Sequence, residues 1–129
     1  IGTTTPTFKL HVVGSSFLNG DLNTLHYTEA VVAIGNSGTA QTIALTSGTV
    51  HTVTLTGNCT FTMPTATAGK SFTVLLKTGA GSFTATFTGV KWPGNVAPTI
   101  TATASKLDLI SFVADGTNWY GNIAQNYTP

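Results

Sequence analysis

Arginine is absent from this 129-residue chain, and charged residues of every kind make up only 7% of it, against about 25% in an ordinary soluble domain. With five lysines, four acids and a net charge of +1, there is no basic stripe to neutralise phosphates and no guanidinium fork to read bases, so nucleic acid is not an expected partner. Cys59 is the only cysteine. No intrachain disulfide can form, and stability has to come from packing or assembly. No apolar run approaches the roughly 20 residues of a membrane-spanning helix, and the first residues lack the charged-then-apolar pattern of a secretory signal. Membrane insertion is therefore not expected. The chain opens on Ile1, not on a methionine, as a piece of something longer would.

Threonine, serine and glycine stand where charge would be. Threonine is β-branched and suits a half-buried pleated surface, so the composition points to strands and away from helices. Hydrophobic residues at 41% are ordinary, and the length suffices for one domain with a core. Exposed sheet edges are usually guarded by lysine or other charges, and five lysines are few for many strands. Covering those edges with neighbouring copies is the simplest remedy, and self-association is expected.

Along the chain, Phe8 to Val13 reads as one strand between turns, and Asn19-Gly20 is a further turn signal. Ala30 to Ile34 is a short apolar run of ambiguous type, and Gly35-Asn36-Ser37-Gly38 after it reads as a linker. Residues 1–40 are thus expected to be a separate segment that cannot bury a core alone, and residues 41–129 a domain at its head. Within the head, 41–46, 49–56 and 59–63 read as successive strands. Residues 71–77 and 82–88 alternate cleanly, with Phe72, Val74 and Leu76 on one face of the first and Phe83, Ala85 and Phe87 on one face of the second. Thr78-Gly79-Ala80-Gly81 between them predicts a hairpin. Residues 91–98, with two prolines and a glycine, form a loop, and 99–102 a short strand. Residues 107–114 are apolar on both faces, so this strand should be central or meet another subunit, and 119–124 should pair back on it. About eight short strands with regular turns predict an all-β fold, an antiparallel β-sandwich or jelly-roll-like head preceded by a short fibrous β segment.

The stretches Lys91-Trp92-Pro93-Gly94, Ala97-Pro98-Thr99, Lys106-Leu107-Asp108 and Phe112 to Gly121, together with Leu55 to Thr60, Pro64, Ala68-Gly69 and Leu75-Leu76-Lys77, resemble the C-terminal end of bacteriophage tail-fibre proteins over roughly residues 45 to 124. Ile1 to Thr4 and Lys9 to Val12 resemble the turn-and-strand pieces of such fibres' shafts, and this resemblance, not the turn signals, makes residues 1–40 a shaft or neck. The resemblance implies a homotrimer at the distal end of an extracellular virion fibre, recognising a host cell-surface receptor, a polysaccharide in the first instance, through loops at its tip. A trimerisation cap that binds no receptor and a bacterial surface adhesin tip are the rival readings.

Catalytic and metal chemistry find little support. Ala68-Gly69-Lys70-Ser71 copies the end of a phosphate-binding loop, but Pro64 stands where its first glycine is needed, and the segment enters a strand where that loop enters a helix. His11, His26, His51 and Cys59 share none of the short spacings of zinc sites. Only an axial site in a trimer would gather copies of His11 or His26, and no metal or other cofactor is assigned. Asp21, Glu29, Asp108 and Asp115 are the only acids; Asp115 belongs to a turn, and Asp108 is expected to pair with Lys106 or a threonine. No enzyme is expected. Trp119 and Tyr120 fall on opposite faces of one strand. Ligand contact is expected from loops held on a strand scaffold, namely Gly79 and Ser82 in the loop 78–82 and Lys91, Trp92 and Asn95 in the loop 91–97.

Overall fold

The structure, a computed structural model, describes residues 12 and 14–129. The strand predicted over Phe8 to Val13 lies, Val12 apart, outside the described residues. Nine strands follow: β1 (Val31–Asn36), β2 (Ala40–Thr42), β3 (Val50–Leu55), β4 (Cys59–Thr62), β5 (Ser71–Thr78), β6 (Ala85–Phe87), β7 (Val90–Lys91), β8 (Leu107–Ala114) and β9 (Trp119–Tyr127). Among the described residues there is no α-helix, only one 3₁₀ turn at Pro93–Asn95. The fold is all-β, and its main sheet is mixed.

The strands form a six-stranded sheet in the order β1-β3-β5-β8-β9-β7 and a three-stranded sheet in the order β2-β4-β6. Parallel neighbours need a long crossover between them, and from β1 to β6 each crossover is itself a strand of the other sheet. The chain runs along β1, returns along β2, and re-enters the large sheet as β3 beside β1. One more such turn, β3-β4-β5, follows; β6 then joins β4, and the chain re-enters the large sheet as β7 at its far margin, beside β9. Val31, Val50 and Thr73 stack in the large sheet at spacings of 19 and 23 residues, and Gln41, Phe61 and Phe87 stack in the small one at spacings of 20 and 26. The winding stops at β8, which pairs antiparallel with β5 and then with β9.

Alternation decides which side chains enter the core. Val53 and Leu55 of β3, Phe72, Val74 and Leu76 of β5, and Ile110, Phe112 and Ala114 of β8 point inward, as do Cys59 and Phe61 of β4. An aromatic line joins the two sheets. Phe61 stacks on Phe87 with ring centroids 4.7 Å apart, Phe87 meets Phe112 at 5.2 Å, and Phe112 stacks on Phe72 at 4.7 Å. Trp119 closes the line edge-on to Phe72 at 5.0 Å, with its indole N–H donating to the Pro64 carbonyl at 2.7 Å.

Three expectations need correction. Antiparallel pairing holds only for β5–β8 and β8–β9; the other five ladders are parallel. The alternating segments 71–77 and 82–88 form no hairpin, since β5 and β6 belong to different sheets. Residues 99–102 are not a strand; Thr101 is held by the Asp108 carboxylate instead of a ladder. The ambiguous run at 30–34 is β1, paired with β3, so sheet structure begins inside the segment assigned to the shaft. β8 is central in the sheet order, between β5 and β9, but only its Asp108, Ile110, Phe112 and Ala114 face is buried, and the Leu107, Leu109 and Val113 face lies on the outside of the sheet.

Candidate functional site

Lys91 is fixed by β7, which pairs with the start of β9, Val90 opposite Trp119 and Lys91 opposite Tyr120. The chain then turns at Pro93–Asn95, where the Asn95 N–H donates to the Trp92 carbonyl at 2.9 Å. Gly94 and Asn95 both take left-handed conformations, with φ of 62° and 59°, which glycine and asparagine accept most readily. From there the segment runs along the outer edge of β9, ending where Gln125 Nε2 donates to the Thr99 carbonyl at 2.7 Å.

Trp92 is only half available to a ligand. Its ring packs edge-on against Phe112 at 5.9 Å and Phe87 at 6.2 Å, and it lies so close over Gly121 that a Cβ there would come within 2.5 Å of Cζ3. The remaining flank of the indole lines an edge cleft of about 190 Å³ with Pro93, Val96, Pro98, Asn122 and Ile123. Three flat apolar surfaces and one amide thus surround a small opening, with Asn95 exposed on the same loop and Lys91 exposed just before it.

Beside Lys91, Tyr120 is exposed and locked in place. Its hydroxyl donates to Asp115 Oδ2 at 2.9 Å, while Asp115 Oδ1 accepts the N–H groups of Thr117 and Asn118 at 2.7 Å each. Those backbone bonds, Asn118 first, and then the phenol hold the Asp115 carboxyl down to about 2. Bonding to the carboxylate pushes the Tyr120 phenol up in turn.

The five candidate contact residues do not converge. Lys91, through Tyr120 and Val113, is level with Ser71 at the beginning of β5, whereas Gly79 and Ser82 follow its end at Thr78. Seven residues of strand separate the two ends, roughly 23 Å. Gly79 has a structural reason to be glycine: its N–H donates to the Leu55 carbonyl at 2.9 Å, and a Cβ would sit 2.5 Å from that oxygen. Ser82 is exposed in the same connection.

Asp108 and the phosphate-loop-like segment are accounted for locally. Asp108 is buried, and its carboxylate accepts the Thr101 N–H at 2.8 Å, the Thr101 hydroxyl at 2.7 Å, the Asn126 N–H at 3.0 Å and Gln125 Nε2 at 3.3 Å. Burial pushes this carboxyl up, but the hydrogen bonds from Thr101, Asn126 and Gln125 outweigh that and hold it below the usual carboxylate range. Its expected pairing is with threonine; the Lys106 ammonium donates to the Thr128 hydroxyl instead. In the phosphate-loop-like segment, the Gly69 and Lys70 N–H groups are occupied by the Ala114 and Thr67 carbonyls. Among the described residues no three His, Cys, Asp or Glu side chains gather as metal ligands would; His11 lies outside them.

Against protein-family models, curated proteins and solved structures, the chain matches none. The composition of the edge cleft was half legible. Trp92 was singled out, but Asn122 and Ile123, its partners on β9, carry no sequence signal, because only the course of 92–101 along that strand brings them together. A signal for the winding was present in Ser37-Gly38, Thr56-Gly57 and Thr78-Gly79, a hydroxyl residue followed by glycine at spacings of 19 and 22, each at a turn leaving the large sheet. The Ser37 hydroxyl accepts the Thr56 N–H at 3.1 Å, joining the first turn to the second.

Proposed function

We propose that this chain is the distal head of a phage tail fibre, a trimeric two-layer β-sandwich that attaches the virion to a saccharide on the host surface and carries no catalytic activity. The observation that carries this reading is the edge cleft between residues 92–98 and β9. An indole flank and two proline rings offer flat apolar surfaces of the kind on which the apolar face of a sugar ring packs, and the Asn122 amide offers both a donor and an acceptor for hydroxyls. Lys91 and Asn95 on the rim add a cation for an acidic substituent and a second amide. The scaffold beneath is rigid, since Trp92 is wedged against Phe112, Phe87 and Gly121. A shallow cleft of this kind binds weakly, and three copies on one tip would gain roughly 10² to 10⁴ in avidity on a dense polymer.

Because Trp92 also belongs to the core, its removal is not a clean test. Asn122→Ala combined with Val96→Asp alters the cleft without touching the aromatic line. The purified chain should coat susceptible cells and block phage adsorption, and the double variant, at unchanged melting temperature and mass, should lose both. Full retention of binding by that variant would refute the site. A chain that forms the oligomer but coats no susceptible strain would favour the trimerisation-cap reading, which the antiparallel ending of the winding at β8 and β9 also suits.

A further inference from the structure

Residues 14–30 precede the winding and are exposed throughout. Among them Phe17, Leu18, Leu22, Leu25 and Tyr27 are large apolar side chains with no cover, Phe17 being 91% exposed and Leu25 fully so. Among the described residues, the root of this segment is tied down by the Val50 N–H donating to the Ala30 carbonyl and by the Thr49 hydroxyl bonded to Glu29. Scattered apolar residues on a surface are ordinary, but five large ones within eleven residues of one exposed segment call for a partner.

A matching surface lies on the outer face of the six-stranded sheet. Thr52, Leu75, Leu109 and Ala124 are in register across four strands, with Leu107 and Val113 on the same face of β8, the latter 51% exposed. The β1–β3 register slips between Ala33 and Gly35, and Gly35, with φ of +80° and no side chain, leaves a depression of about 240 Å³ lined by Ala33, Thr52, Leu75 and Leu107. That exceeds the roughly 150 Å³ in which a benzene ring fits. Lys77 is the one charged residue at its rim, and Asp21 is an exposed acid in the middle of the apolar segment.

We infer that residues 17–27 are an exchange arm that lies across the outer sheet face of a second copy of this chain, with an aromatic side chain in the Gly35 depression and Asp21 near Lys77. This rests on the oligomeric reading above but names the surfaces that join the copies. The area is adequate. Two aromatics at roughly 150–250 Å² each, with three leucines and the sheet beneath them, come to the order of 1,000 Å², the lower bound of a specific interface. The arm is also long enough, since ten extended residues span about 33 Å and the six-stranded sheet is about 24 Å wide. Within its own chain the same arm leaves every one of these side chains in solvent, which is why the occupant of the face is a neighbouring copy.

The test uses the buried position of Cys59, which keeps the native thiol out of mild oxidation. Two differently tagged chains are co-expressed, one carrying Leu22→Cys and the other Leu109→Cys, and the purified oligomer is oxidised and run without reductant. A covalent heterodimer is expected, together with at least a tenfold rise in the concentration needed for assembly when Leu22→Lys and Leu25→Lys are combined, at unchanged melting temperature of the head. A disulfide that forms only within a single chain carrying both cysteines would overturn the exchange. So would an oligomer in which no pairing of Leu18→Cys, Leu22→Cys or Leu25→Cys with Leu109→Cys closes. A mass near 13.3 kDa at all concentrations would overturn the oligomeric reading itself, and the two failures are told apart by that mass.

Discussion

Replacing His51 with leucine should stabilise this protein. His51 sits on β3 between Val32 and Val74, 1% exposed, with its ring edge-on to Phe72 at 5.8 Å and neither ring nitrogen hydrogen-bonded. A buried polar group left without a partner costs about 1–3 kcal/mol. Leucine has similar volume and no polar atom, so His51→Leu should gain about that amount at pH 8, a rise in Tm of roughly 2–8 °C per kcal/mol for domains of this size class. The pH dependence sharpens the test. Burial pushes the imidazole below its ordinary value of 6.5, so the unfolded chain takes up the proton first. The native protein's stability is therefore level above about pH 6.5 and declines below it, at no more than about 1.4 kcal/mol per pH unit, until the folded-state value is passed. The leucine variant should lack this decline, and melting curves of both proteins at pH 8, 6.5 and 5.5 read the difference directly. A variant less stable than the native chain at pH 8, or one with the same slope between pH 6.5 and 5.5, would mean that the ring is partnered in solution and would refute the reasoning.

Three further outcomes follow from the packing. Phe112→Ala, which removes the ring touching Phe72, Phe87 and Trp92, should cost about 3–5 kcal/mol in denaturant unfolding. Asp108→Ala should cost on the order of 3 kcal/mol by leaving the Thr101 and Asn126 N–H groups without their acceptor. Because this carboxyl is held below its usual range, the native contribution should persist above about pH 4 and disappear as the pH falls through the folded-state value. Gly79→Ala should lower the melting temperature, by an amount equivalent to about 1–3 kcal/mol, because the new Cβ meets a backbone oxygen and not a side chain that can swing away; an unchanged melt would show that the turn relaxes freely.

Strands were far more legible than their partners. The segments 49–56, 59–63, 71–77 and 107–114 match β3, β4, β5 and β8 to within a residue or so at each end, because alternation at a period of two is a local property of side chains against one buried face. The same property says nothing about which strand lies alongside. Thr78-Gly79-Ala80-Gly81 between two alternating runs looks like a hairpin loop, yet Gly79 binds back to the Leu55 carbonyl of the previous turn and sends the chain across to the other sheet. Residues 99–102 have strand composition but serve as a tether to Asp108. At the cleft, Lys91, Trp92 and Asn95 were legible as a polar and aromatic loop. Their separation from Gly79 and Ser82 was not, because it depends on the direction in which β5 runs.

The two margins of the six-stranded sheet are unlike each other. At the β9 margin, β7 and the segment 92–101 lie over the outer strand; at the β1 margin, no strand among the described residues pairs with the outer side of β1. A stack built this way has a growing end and a finished end. Turns of about 20 residues could be added at the β1 side, or the first one deleted, while every contact of the aromatic line and the cleft stayed in place, so the height of the stack and the chemistry of its closed end are free to vary separately. Grafting a copy of residues 31–49 ahead of β1 should lengthen the body by one strand spacing, about 4.8 Å, and leave the cleft as it is.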